Sequence, residues 1–134
     1  MDSGRTHRGR LRWDDRGTAT TELVIVVPLL MFLLLCVVQF AVAAHAQHIA
    51  QSAASRALAT ARAEDSSAAA GAARAETTLR LLAGRVLTAP AVQVDRSGEH
   101  AVAHVEGTVM TVVPGLDLKV SGHAAGPVEK WTAE

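Results

Sequence analysis

The sequence predicts an α+β chain. A long N-terminal transmembrane helix continues into an alanine-rich helix, and a second helix and a small antiparallel sheet of three to four strands follow. Three observations carry that expectation. Residues 23–44 form an uncharged run of 22 residues. Residues 45–63 contain neither Gly nor Pro and are rich in Ala, the best helix former. After Pro90 the apolar period falls to two, the repeat of a strand with one buried face.

The uncharged run spans about 33 Å as a helix, against about 30 Å of bilayer hydrocarbon. Its polar exception, Gln39, lies near the outer end, where an amide costs little. Pro28 lies one to two turns in and is tolerated in a membrane helix because neighbours satisfy the freed carbonyl. Before the run, Arg5, Arg8, Arg10, Arg12 and Arg16 stand against Asp2, Asp14 and Asp15. The positive-inside rule therefore expects a cytoplasmic N-terminus and an extracytoplasmic C-terminal domain in a single-pass cell-membrane protein. A cleavable signal peptide is the rival, since residues 41–43 and 44–46 are Ala-x-Ala-like. Signal h-regions usually run about 7–15 residues, shorter than this one.

Composition sets further bounds. The chain has 134 residues, 49% hydrophobic but only 3% aromatic, so Ala and Val carry the apolar content and the core is expected to be small. Net charge is zero, with no global electrostatic case for nucleic acid. The arginine-rich start and Trp13 could form a nucleic-acid arm, but a topogenic anchor explains them with less. The single cysteine, Cys36, lies inside the apolar run and cannot form an internal disulfide. Leu34 and Leu35 precede it where a lipoprotein signal requires a small residue, so lipid contact or packing is its expected role.

The expected organisation is a basic leader over 1–17, a transmembrane helix over 18–44 and an extracytoplasmic domain over 45–134. Within that domain the pattern predicts helices about 45–63 and 67–88 and strands within about 91–122. Ala43, Ala46, Ala50, Ala53 and Ala57 recur at spacings of three and four, a small-residue seam that permits close approach of another helix, from this chain or a partner. Gln47, Gln51 and Ser55 lie off it. Residues 64–67, Glu-Asp-Ser-Ser, read as a break and a new N-cap. The second helix carries Ala68, Ala72, Ala75, Leu79, Leu82 and Val86 on one face, is weakened by Gly71 and Gly84, and ends before Pro90. Ser97-Gly98 and Pro114-Gly115 punctuate the strands, and Gly126-Pro127 opens a tail.

Candidate chemistry is sparse. His45 and His48, or His100 and His104 with Glu106, could begin a zinc site, but no third ligand is fixed nearby by spacing. No metal and no cofactor is expected. No nucleophile elbow, phosphate loop, CxxC or HExxH is present, so no enzyme is expected.

The most specific constellation straddles the start of the apolar run. Arg16-Gly17 is followed by four small or polar residues, then Glu22, with Pro28 six residues later. This resembles a type IV prepilin processing site, where a peptidase cuts after the Gly and leaves Glu as the fifth mature residue. More narrowly, Gly17, Glu22, Pro28, the Gln39-Phe40 pair, the alanine-rich helix and Val112-Val113-Pro114-Gly115 are similar to the TadE-like family of tight-adherence (Flp) pilus assembly proteins, over about residues 16–131. In that family the residue after Glu is commonly aromatic, here Leu23, and the polar residue near the membrane exit is often Glu, here Gln39. The resemblance implies a pilin-like minor pseudopilin or assembly protein, processed between Gly17 and Thr18. Its partners would be the membrane, prepilin peptidase, other pilin-like subunits and tight-adherence membrane components, and not nucleic acid. The alternatives are an uncleaved, membrane-anchored interaction protein and, less favoured, a small exported enzyme.

The topology is directly testable. A reporter that works only after export, fused behind Glu134, should be active, and a strictly cytoplasmic reporter at the same point should be silent.

Overall fold

A computed structural model describes residues 15–131; Arg5, Arg8, Arg10, Arg12 and Trp13 of the leader lie outside the described residues. Helix α1 runs Asp15–Arg62 and α2 runs Ala68–Leu82. The strands are β1 (Leu87–Arg96), β2 (His100–Val109) and β3 (Lys119–Pro127), paired antiparallel in the order β1-β2-β3. The architecture is α+β, with three strands among the described residues. The chain divides after Leu34 into two compact units.

In the first unit the described residues are the helical stretch 15–34, and Pro28 sits inside the helix without ending it. The apolar side chains here, from Leu23 to Leu34, are largely exposed.

The second unit holds the rest of α1, α2 and the sheet. Residues 64–67 break the helices as the sequence predicts. Asp65 takes a positive φ of 60°, and Ser67, with extended backbone, caps α2 by accepting the Ala70 N–H at 3.1 Å. The Arg96 guanidinium reaches back from the end of β1 to donate to the Ser66 carbonyl at 2.5 Å and the Ala63 carbonyl at 3.3 Å. A strand end is thereby tied to the turn between the helices.

Helix α2 stops at Leu82, short of the predicted 88. The stop is Gly84, whose φ of +50° suits a residue without Cβ just past a helix end. Pro90 lies instead within β1, at a register irregularity between Thr88 and Ala91 where Ala89 has φ 47°. A bulge is a place where a strand tolerates a missing N–H donor. Strand β3 also departs from the expected span. Leu116 and Leu118 precede it, and it continues through Gly126-Pro127, predicted as the opening of a tail. Its sequence, KVSGHAAGP, has few of the β-branched residues that mark strands, so its stability comes from what lies beside it.

What lies beside it is α1. A Cβ on Gly122 would collide with the Ala50 carbonyl and stand 2.6 Å from the Gln51 nitrogen. Helix backbone and strand backbone are therefore in direct contact. At the other end of the seam, a Cβ on Gly71 of α2 would fall 2.8 Å from both the Ala57 oxygen and the Ala61 Cβ. Ala46, Ala50, Ala53 and Ala57 are fully buried in a core completed by Leu79 from α2, Leu87 from β1 and Val105 and Val109 from β2. The small-residue seam is thus covered by this chain's own sheet and second helix. Alanine and glycine trade side-chain area for close backbone approach, which explains how a chain so poor in aromatics closes a core.

Gly122→Ala should therefore lower the stability of the folded domain by roughly 1–3 kcal/mol, as overpacking does in cores. Gly98, with open space around its Cβ position, should tolerate alanine within about 0.5 kcal/mol. Denaturant unfolding of the detergent-solubilised chain, followed by circular dichroism, compares the two.

Candidate functional site

The predicted processing, membrane-helix and seam residues all fall on α1, while His100, His104 and Glu106 lie on β2. Gly17, Thr18 and Glu22 are exposed in its first turns. The Gly17 carbonyl accepts a hydrogen bond from the Thr21 hydroxyl at 2.9 Å, and a Cβ on Gly17 would touch nothing within 4 Å. Glycine within a first turn is a weak helix former, so this turn is cheap to unwind. Pro28 and Phe40 are exposed as well. From Leu23 to Val38 nearly all large apolar side chains stand exposed, and α1 is long and apolar enough to cross a membrane.

Gln39 breaks this pattern. It is completely buried. Its Oε1 accepts the N–H groups of Val112 at 2.6 Å and Val113 at 3.0 Å, and its Nε2 donates to the Met110 carbonyl at 3.2 Å. The side-chain amide thus satisfies three backbone groups of the segment joining β2 to β3. Two turns on, Gln47 Oε1 accepts the Ser121 N–H at 3.3 Å while its Nε2 donates to the Ser121 carbonyl at 2.6 Å. One turn further, Gln51 does the same with His123, at 3.2 and 3.0 Å. The outer edge of β3 is therefore paired with glutamine amides in place of another strand.

These glutamine roles were missed from sequence. Gln47 and Gln51 read only as polar residues off the alanine seam. A signal was available: positions 39, 43, 47 and 51 are four apart and share one helix face, with Ala43 partly buried among the glutamines.

The histidines assort differently from their spacing. His104 pairs across the sheet with His123, ring centroids 6.1 Å apart, and its Nε2 lies 3.6 Å from Glu106 Oε2. His100 pairs instead with Pro127. Among the described residues no three His, Cys, Asp or Glu side chains converge on a common metal position. A groove of about 480 Å³ between α2 and β1 is walled by Leu79, Ala83, Leu87 and Val92 with Glu76 and Arg80.

An exposed apolar stretch, a first turn carrying Gly17 and Glu22, and a buried glutamine form one continuous helical segment. Residues 17–58 match the TadE-like protein family. The TadE-like segment begins at Gly17, includes Glu22, Pro28, Gln39 and the alanines through Ala57, and lies wholly within α1. Helix α2 and the sheet fall outside it. No significant match to the chain was found among curated proteins or among solved structures.

Gln39→Leu should loosen the segment after β2, because it strands the buried Val113 N–H along with the part-buried Val112 N–H and Met110 carbonyl, at about 1–3 kcal/mol for an unsatisfied buried group. Amide exchange at Val112 and Val113 should accelerate accordingly. Gln47→Ala should cost less, since water reaches the exposed Ser121 groups.

Proposed function

We propose that this protein is a pilin-like minor pseudopilin or assembly protein of a tight-adherence (Flp) pilus or related secretion apparatus. The observation that carries the reading is the TadE-like segment on a helix whose residues 23–38 expose their apolar side chains. That surface suits lipid and neighbouring helices. The arginine-rich leader favours a cytoplasmic N-terminus.

In this mechanism the chain inserts through α1, and prepilin peptidase hydrolyses the Gly17–Thr18 bond. The cut releases the leader with a carboxylate on Gly17 and leaves an α-ammonium on Thr18. Gly17, unencumbered by side chain and set in an easily unwound turn, suits entry into a protease site. Glu22 then offers a carboxylate to the α-ammonium of a neighbouring subunit, beside an apolar surface where an unpaired charge is costly. Lateral association uses the exposed part of α1, because the alanines from 46 to 57 are already covered within their own domain. The proposed role is structural: the chain acts by insertion and association.

Processing and assembly separate by mutation. Gly17→Leu should block cleavage, and intact-mass measurement of the membrane-extracted protein should find residues 1–17 still attached. Glu22→Gln should leave insertion and cleavage intact but abolish pili and co-purification of partner subunits. Breaking a buried ion pair costs about 3–5 kcal/mol, and a pair at the membrane boundary less. An unchanged mass and unchanged piliation for Gly17→Leu would refute processing at this site.

A further inference from the structure

The second unit carries most of its exposed large apolar side chains at one end. They are Leu35, Val37, Val38 and Phe40 of α1, Leu81 and Leu82 at the end of α2, and Met110 after β2. Hydrogen bonds and packing bring these three pieces together. The Met110 carbonyl receives Gln39 Nε2, and the Met110 N–H donates to the Val86 carbonyl, four residues past Leu82. Leu81 and Leu82 share a hollow with His45, His48 and Ile49 of α1.

The level of this end is set by the sequence. The uncharged run stops at Ala44, so the His45–His48 turn stands where hydrocarbon gives way to headgroups. Gln39 lies five residues earlier, about 7.5 Å down the helix. The domain thus reaches to or below the membrane boundary, and it reaches there with Leu81 79% exposed and Leu82 47% exposed. Arg80 and Arg85, both exposed, bracket the two leucines, while Asp117 on the neighbouring loop accepts from Thr111.

Resting on the membrane-inserted reading above, we infer that this end of the domain is a lipid-binding rim. Leu81, Leu82 and Met110 enter the outer leaflet at the boundary of headgroups and acyl chains, and Arg80 and Arg85 bind the phosphates of anionic phospholipids. An apolar face flanked by arginines is the chemistry of interfacial attachment, and guanidinium suits phosphate. A lipid surface is the occupant because the rim is continuous with the exposed apolar side chains of Leu35, Val37, Val38 and Phe40 in the same unit. The rim would hold the domain against the bilayer and shield the buried Gln39 amide from water.

The test uses the full chain in a Cys36→Ser background, reconstituted into vesicles of phosphatidylcholine and phosphatidylglycerol. A fluorescent label is placed by Leu81→Cys, by Gln93→Cys on the exposed sheet face, or by Leu30→Cys in the apolar run. Leu81 and Gln93 are exposed, so labelling there leaves the core intact. The label at 81 should be quenched by lipid carrying a headgroup-level nitroxide and shielded from aqueous iodide, and the label at 93 should show the reverse. Arg80→Glu with Arg85→Glu should weaken that shielding, by roughly fivefold in partitioning for each arginine removed near an anionic surface. Iodide access at 81 equal to that at 93, with the label at 30 still quenched by deep nitroxide, would overturn the rim alone. Absence of lipid quenching at 30 would overturn the membrane reading and the rim with it. Shielding at 81 that fades as protein is diluted in lipid would mean a second copy covers the leucines, and would also overturn the proposal.

Discussion

A strand laid against a helix presents backbone N–H and C=O groups that the helix backbone, already satisfied internally, cannot pair. An edge strand left in that state invites another chain, and buried groups left unpaired cost about 1–3 kcal/mol each. Here the helix answers with side-chain amides, which like a peptide group carry both N–H donors and a carbonyl acceptor. Four residues of helix rise about 6.0 Å and two residues of strand about 6.7 Å, so Gln47 and Gln51 meet Ser121 and His123 with little mismatch. Gln39 applies the same chemistry to the segment before β3.

This pairing requires closeness, and closeness dictates composition. The amides reach β3 because Gly122 lies directly on the Ala50 backbone. Any larger residue at Gly122 would lift the strand away from its partners. The alanine content of α1 and the glycine in β3 are two sides of one contact. The same logic recurs where Gly71 meets Ala57 and Ala61. The domain gains its cohesion from backbone proximity and amide pairing more than from large buried side chains, of which it has few.

Residues 39–61 of α1 are therefore committed to their own domain, while residues 23–38 remain uncovered. Both the uncovered stretch and the Gly17–Glu22 turn lie within the TadE-like segment. The covered stretch carries a folded domain.

The sequence by itself determined the element types and their order, because strong local patterns mark them. An uncharged run of 22 residues, an alanine-rich stretch without Gly or Pro, and a switch to period two each belong to one kind of structure. The break at residues 64–67 and the turn at Ser97-Gly98 were legible for the same reason: capping and turn chemistry act within a few residues. The spacing of Gly17, Glu22 and Pro28 likewise pointed to the TadE-like resemblance that residues 17–58 bear out. Only the tertiary structure decided where α2 stops, since Gly84 and Pro90 are both breakers and the bulge in β1 absorbs the proline. It alone placed β3, whose small residues carry little strand preference of their own. It alone gave the alanine seam a cover from this chain and gave Gln39, Gln47 and Gln51 their partners. Those partners lie more than 70 residues away, and hydrogen bonds made across such a separation leave no local pattern to read.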